Sequence, residues 1–448
     1  MSNSTHQFHF IATGGAIMHN LALTLHDAGH HVTGSDDEIY NPARDRLAAA
    51  GLLPERMGWF PERVHPDLDA VIVGMHARPD NPELARAHEL GLPVYSFPEF
   101  IYARSRRKRR IAICGSHGKT TTSAMLLHAL RRNDVDTDYL VGAQLESFDR
   151  MVQLSDAPNI LIEGDEYLSS PTDRRPKFVH YRADVAVLTG IAWDHMNVFP
   201  TYADYFAQFE LLLASLAPDA TLIYNETDAE VRRLVAGNVR TDLRLIPYRA
   251  YAWERLPNGN TTARGREFRV FGDHNFSNLA AAVRVGAQLG VSEAAMLRAL
   301  GSFRGAAKRL QSLAHRPGFD AWLDFAHAPS KVRATVRAVR DLYPERRLIA
   351  VFELHTYSSL NADFLPHYHG VLAPADAAAV FFNEKTLEIK RMPPLRPAQI
   401  RSSFGEEQLR VFTEAAALQR WLSEQIAPDT SVLLMSSGTF GGSSFKFL

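Results

Sequence analysis

The 448-residue chain carries 49 Lys and Arg against 50 Asp and Glu, a formal net charge of −1, so no global field recruits nucleic acid or an anionic membrane. Hydrophobic residues make up 46% and charged residues 22%, the balance of a soluble globular protein long enough for about three domains. The single cysteine excludes an intrachain disulfide, no apolar run approaches the ~20 residues of a membrane span, and the first fifteen residues lack the basic flank and apolar core of a secretion signal, which predicts a cytoplasmic protein.

The first hundred residues alternate strands and helices. Residues 8–12 predict a strand, a Thr13-Gly14-Gly15 turn follows, and a helix runs to about residue 28. Residues 29–36 predict a turn and second strand, with further strands at 71–74 and 93–96. Such interleaving predicts a parallel sheet with ligands at the carboxyl ends of its strands. The Gly14-Gly15 turn suits a diphosphate and Asp36 a ribose hydroxyl, although Ala12 stands where a dinucleotide fingerprint has its first glycine, and a purely structural turn is the alternative. Six of the seven residues 104–110 are basic. The run is isolated and lacks interleaved aromatics, so a solvated linker is expected rather than a nucleic-acid surface.

Residues 111–114 form an apolar strand that ends in Gly115-Ser116-His117-Gly118-Lys119-Thr120-Thr121-Thr122, followed by helical periodicity through residue 131. Glycines let backbone N–H groups approach phosphate oxygens, the helix start adds positive charge, Lys119 reaches the terminal phosphates, and a Thr hydroxyl ligates Mg²⁺. Two residues separate the glycines, where the usual loop has four. Strands are predicted at 159–163, 185–189 and 221–224, hairpins or loops at 249–269, and helices to about 289 and over 292–300. Glu163-Gly-Asp-Glu166 gathers three carboxylates at a strand end, suited to Mg²⁺ beside the loop Thr. Asp194-His195 ends a second strand-and-loop of the same module, as a metal or phosphate neighbour or as an ordinary satisfied polar pair. Asn275 either caps a helix or, with Asn278, faces a purine edge.

The last module predicts strands at 322–325, 348–352, 379–382 and 432–435 and helices at 331–342 and 414–425. Lys308-Arg309, Asp324, His327 and His355-Thr-Tyr-Ser-Ser359 are each ordinary surface chemistry alone, but most follow strand ends and so converge on one cleft.

With these motifs in order, the chain resembles the ATP-dependent Mur ligases along essentially its whole length. The resemblance is carried by Gly115-Ser-His-Gly-Lys-Thr-Thr-Thr122, Glu163-Gly-Asp-Glu166, Asp194-His-Met196, Gly272-Asp-His-Asn-Phe-Ser-Asn278 and Asp324-Phe-Ala-His-Ala-Pro329. It implies an α/β fold of three consecutive domains, each a mainly parallel sheet flanked by helices. Residues 1–107 form a Rossmann-like domain for a UDP-sugar, 108–304 a P-loop ATPase domain, and 305–448 a Rossmann-like domain for the incoming peptide. Asp173-Arg-Arg-Pro-Lys-Phe-Val-His-Tyr181, Gly34-Ser-Asp36 with Tyr40, and Leu434-Met-Ser-Ser-Gly-Thr-Phe-Gly-Gly442 are similar to the branch that joins a murein tripeptide to UDP-N-acetylmuramate in peptidoglycan recycling. The sibling that adds L-alanine is the alternative, since His355-Thr-Tyr-Ser358 resembles its motif. An ATP-gated binding protein is the non-enzyme alternative.

The resemblance also implies roles. Gly14, Gly15, Ser35, Asp36 and His76 would hold the UDP-sugar. Gly115, Ser116, His117, Gly118, Lys119, Thr120, Thr121, His274, Asn275, Asn278, Arg309 and Asp324 would bind ATP, with Asp324 on the ribose. Thr120 and Glu163 would ligate one Mg²⁺ and His195 would help a second. Lys119, Glu163, His195 and Arg309 would be catalytic, and His327, His355, Tyr357 and Ser358 would receive the peptide. The implied partners are UDP-N-acetylmuramate and a murein peptide, with no nucleic acid or membrane, in a monomer or weak dimer. Gly190 replaces the family's usual asparagine, Ala328 its common second histidine, and no lysine lies between Lys177 and Lys308, which excludes the carbamylated lysine of some siblings.

Overall fold

The computed structural model describes residues 5–75, 77–143, 148–170, 173–406, 408–445 and 447–448. Short apolar strands such as Ala70–Val73, Val185–Leu188 and Thr430–Met435 are buried along their whole length. A strand apolar on both faces needs a covering layer on each side, which is why parallel sheets flanked by helices follow from these runs. Three such sheets succeed one another along the chain.

The first has four parallel strands in the order His31–Ser35, Gln7–Ile11, Ala70–Val73 and Val94–Ser96. The central sheet has seven, in the order Arg244–Tyr248, Thr221–Asn225, Val185–Leu188, Arg109–Cys114, Asn159–Gly164, Thr137–Leu140 and Val152–Gln153, all parallel but the last. The phosphate-loop strand Arg109–Cys114 lies between the strands that end at Gly164 and Leu188. The third sheet runs Gln311–Arg316, Phe319–Asp324, Thr430–Met435, Arg347–Leu354, Ala377–Phe382 and Arg410–Phe412, with its first strand antiparallel. Glu254–Arg255, Thr261–Ala263 and Arg266–Phe268 form a small antiparallel sheet in the region expected to be hairpins or loops.

The strands without an apolar run went unpredicted. Gln311–Arg316 and Arg244–Tyr248 are largely exposed edge strands, which leave no continuous hydrophobic stretch to read.

The expected solvated linker at residues 104–110 is corrected. Lys108 is buried, paired with Asp138 at 2.8 Å, and its amine donates to the carbonyls of Ser155 and Ala157 at 2.7 Å. Arg110 is buried and meets Asp184 at 3.0 Å. Lys108 and Arg110 therefore anchor the first strand of the central sheet, while Arg106 and Arg107 stay exposed, so the correction concerns only part of the run. Next to it, helix Phe97–Ser105 packs on the short helix Lys177–Tyr181, and one apolar core continues from Phe8, Phe10 and Ile72 through Ile101 to Ala112, Phe178 and Tyr181. On the other side, helix Pro329–Leu342 packs on helix Asp273–Gln288, and Trp193 and Met196 of the central domain pack against the third domain's core. No helix among the described residues is long and apolar enough to cross a membrane.

Candidate active site

The phosphate loop is shaped by its glycines. Gly115 and Gly118 take φ of +124° and +77°, in the region that favours glycine. A Cβ at Gly115 would collide with Thr189, and one at Gly118 with the Asn278 amide. Thr189 in turn donates its hydroxyl to the carbonyls of Cys114 (3.0 Å) and His117 (2.5 Å), binding the loop to the neighbouring strand. Gly118 opens helix Lys119–Arg131, and no side chain caps it, so the first backbone N–H groups point outward. Gly190 has a local reason too. A Cβ there would enter the His117 ring, so the missing asparagine leaves room for that imidazole.

Two acidic groups flank the loop. Thr120 donates its hydroxyl to Glu163 Oε1 at 2.8 Å, and Gly142 N–H donates to Oε2 at 2.8 Å. Strand register explains the pairing, because Ile113 and Glu163 are neighbours across the sheet. The Lys119 amine donates to Gly115 O at 2.6 Å and to Glu166 Oε2 at 2.5 Å. The other Glu166 oxygen accepts from the Tyr205 hydroxyl at 2.9 Å and lies 3.6 Å from His195 Nε2. Burial acts against both charges of this pair, but Glu166 and Asp165 raise the Lys119 pKa, while Lys119 and His195 lower that of Glu166. Asp165, which pairs with Lys177 at 2.6 Å, joins Glu166 and His195 in a group whose ligand atoms lie within 4.8 Å of one another.

These hard oxygen donors with one imidazole fit Mg²⁺. Thr120 with Glu163 make one candidate position, and Asp165, Glu166 and His195 make another. Asp165 and Glu166 were not assigned from the sequence, although the Glu163-Gly-Asp-Glu166 cluster was visible; which carboxylate faces which residue needs the fold. His195 sits at φ +56°, and Asp194 and Glu166 outweigh its burial to raise its pKa. A cation held there would need the neutral ring and so would compete with that proton.

The third domain reaches the same loop. Arg309 directs a guanidinium nitrogen to Thr120 Oγ1 at 3.5 Å and stacks over Phe325 at 4.8 Å. Lys331, on helix Pro329–Leu342, meets Asp194 Oδ2 at 3.1 Å and His327 Nε2 at 3.3 Å. His327 Nδ1 faces Phe325 O at 2.9 Å, which assigns the ring proton to Nδ1 and leaves Nε2 as an acceptor. Asp194 stays ionised despite burial because Lys331 lowers its pKa well below the usual range. Lys331 was missed as a surface-type residue of an amphipathic helix. Ser358 Oγ accepts from Met196 N–H at 3.2 Å, so the His355–Ser359 turn also touches the central domain. His355 itself lies 3.9 Å from the buried Glu353.

Thr121, Asn275 and Arg309 line a cavity of about 250 Å³ walled by Phe271 and Trp322, whose rings meet edge-on at 5.0 Å. Its aromatic walls next to the loop suit a purine. Two of the expected nucleotide contacts also have partners inside the fold. Asn278 Oδ1 accepts the Thr122 hydroxyl at 3.2 Å, which sets its amide against the loop. Asp324 accepts from Leu310 N–H and Ala326 N–H at 2.7 Å each and from the Thr335 hydroxyl at 3.3 Å, so its carboxylate also ties the domain junction. His274 is placed beside Gly272, with burial lowering its pKa.

In the first domain, Asp36 accepts from Gly14 N–H at 2.7 Å, and Gly15 precedes helix Ala16–Asp27 without a side-chain cap. Ala12 adopts φ +65°, the conformation a glycine takes more readily, so the broken fingerprint keeps its turn. Ser35 accepts from Arg63 at 2.9 Å, and Arg63 and Arg56 each lie 4.5 Å over Phe60. Arg63 was missed because it is far from the glycine turn in sequence. His76 lies outside the described residues.

Three consecutive family signatures match the chain: the Mur ligase family catalytic domain at residues 7–109, the Mur ligase middle domain at 113–286, and the Mur ligase glutamate ligase domain at 308–438. The chain is 32% identical to a UDP-N-acetylmuramate–L-alanine ligase of Halorhodospira halophila, over 83% of this chain and 78% of that one. It is 28% identical to the UDP-N-acetylmuramate–L-alanyl-γ-D-glutamyl-meso-2,6-diaminoheptandioate ligase of Haemophilus influenzae, over 98% of both. In fold it is similar to the UDP-N-acetylmuramate–alanine ligase structure from Thermotoga maritima, with a TM-score of 0.69 and 22% identity over 98% of both chains.

Proposed function

From the premise that this chain belongs to the Mur ligase family, whose members are ATP-dependent amide-forming ligases, we propose that it joins the tripeptide L-Ala-γ-D-Glu-meso-diaminopimelate to the lactyl carboxylate of UDP-N-acetylmuramate. The reaction belongs to peptidoglycan recycling and takes place in the cytoplasm. The observation that carries the ligase chemistry is the meeting at one phosphate loop of Glu163 and Glu166 from the central sheet with Arg309 from the third domain, whose Lys331 also pairs with Asp194 of the central domain. The choice of amine rests on the 173–181 segment and on the full-length likeness to the Haemophilus influenzae enzyme.

A carboxylate is a poor acylating agent, so ATP converts it to an acyl phosphate. The peptide amine then attacks the acyl carbon, and the tetrahedral intermediate expels phosphate. Lys119 holds the oxygens of the transferring phosphoryl group, and Glu166 keeps its amine aimed at the loop beforehand. Thr121, Asn275, Phe271 and Trp322 seat the base. Two Mg²⁺ ions, one at Thr120 and Glu163 and one at Asp165, Glu166 and His195, would offset the charge that builds on phosphate. Gly14, Gly15, Ser35 and Asp36 present the UDP-sugar from the first domain. The third domain brings the amine past His327 and Ser358 and closes over the loop, which keeps water from the acyl phosphate.

L-Alanine is the competing amine, favoured by the Halorhodospira halophila relative. A phosphate-release assay with MgATP and UDP-N-acetylmuramate decides, with L-alanine, tripeptide and tetrapeptide offered separately. The expected result is release that depends on both the sugar nucleotide and the tripeptide. Release with L-alanine alone, or with neither amine, overturns the assignment.

A further inference from the structure

The cations of the cleft each have an anionic partner or a place on the phosphate loop, as Lys119 has Glu166 and Lys331 has Asp194. Lys390 has none. It follows helix Glu384–Ile389, and its ammonium lies 4.3 Å over the ring of Tyr357. Among the described residues no carboxylate pairs with it. Burial lowers its pKa, and no neighbouring charge opposes that shift. The nearby Glu353 is already engaged, accepting from the Ser436 hydroxyl and, at 2.8 Å, from Phe440 N–H. An ammonium partly withdrawn from water is costly unless an anion meets it, and an aromatic face offsets only part of that cost.

Its position says where such an anion comes from. Tyr357 is 44% exposed, and the next residue, Ser358, takes a hydrogen bond from Met196 at 3.2 Å. Inward from Met196 comes His195, 3.6 Å from Glu166, which holds Lys119 at 2.5 Å. The ring and its lysine therefore stand several side chains out from the loop where the amine must react. An amino acid's own carboxylate carbon lies only ~2.5 Å from its nitrogen, whereas each further residue extends the reach by ~3.3–3.6 Å.

We infer that Lys390, seated on Tyr357, receives a carboxylate of the incoming peptide beyond the residue that bears the reacting amine, and so makes the third domain prefer a peptide to a single amino acid. This rests on reading the chain as a peptide ligase. Neither residue acts on the reacting atoms; the pair sets specificity.

The test is steady-state phosphate release at saturating MgATP and UDP-N-acetylmuramate, varying tripeptide or tripeptide with its distal carboxyl groups amidated. In Lys390→Met the tripeptide KM should rise on the order of ten- to a hundred-fold, the span of a lost charge-assisted hydrogen bond, with kcat within about two-fold. Lys390→Arg should restore most of the affinity. Amidation should raise KM by a similar factor in the wild type and have no further effect in Lys390→Met. The amidated peptide needs no variant, so a poorly folded Lys390→Met leaves the test intact. A wild type that turns over no peptide overturns the peptide-ligase reading. Peptide turnover indifferent both to Lys390→Met and to amidation overturns this inference alone.

Discussion

Replacing Lys119 by methionine separates the two things this side chain does. Its amine donates to Gly115 O and Glu166 Oε2 at 2.6 and 2.5 Å, and both side chains of the ion pair are largely buried. Methionine fills a similar volume and removes the charge, which strands the Glu166 carboxylate with only the Tyr205 hydroxyl at 2.9 Å and His195 at 3.6 Å. Breaking a buried pair on one side costs about 3–5 kcal/mol. With His195 left as counter-charge, the lower end, about 3 kcal/mol, applies. The loss of one preorganised donor to the transferring phosphoryl group lowers turnover by about 10²–10³. A second change, Glu166→Gln, removes the stranded charge. The double variant should therefore melt well above Lys119→Met while remaining as inactive. Thermal melts followed by circular dichroism, paired with phosphate-release rates, read the two effects separately. Wild-type turnover in Lys119→Met, or a double variant no more stable than the single one, refutes the reasoning.

Three further outcomes are expected. Burial, reinforced by Lys331, Lys119 and His274, lowers the His117 pKa to about 4, so below the unfolded value of about 6.5 the unfolded chain binds a proton that the folded chain does not. Stability should fall as pH drops from about 6.5 to about 4, and His117→Gln should weaken that fall in urea midpoints at pH 7 and 5; an unchanged pH dependence contradicts it. His19, His180 and His327, also lowered by burial, act with the same sign, so the fall shrinks without vanishing. Gly190→Ala drives a methyl into the His117 ring and to 3.0 Å from Asp228 Oδ2, an overpacking of about 1–3 kcal/mol that should lower the melting temperature and raise the KM for ATP, with partial recovery in Gly190→Ala/His117→Ala. Lys331→Met should cut peptide-dependent turnover tenfold or more, and Asp194→Asn should add little in that background, because the two groups act as one pair at 3.1 Å; additive losses in the double variant would disprove the coupling.

The local motifs were legible because each depends on neighbours in sequence. Residues 111–122 carry strand, turn and helix start within a dozen positions, and Gly115 and Gly118 take the positive φ that such a turn requires. Less legible is where a side chain meets a partner distant in sequence. The backbone of Leu310 folded against Asp324, and the helix that lays Asn278 over the glycine turn, cannot be read from spacing. Lys108 likewise reads as solvated until Asp138 closes on it.

By itself, the order of residues determined the parallel-sheet architecture, the position of the phosphate loop and the acidic strand end facing it, since apolar periodicity and glycine geometry act over a few residues. Only the tertiary structure decided which carboxylate grips Lys119, which pairs with Thr120, and that Lys331 reaches Asp194 across the domain junction. Those are matters of charge meeting charge across strands and domains, and no spacing along the chain encodes the distance between groups the fold alone brings together.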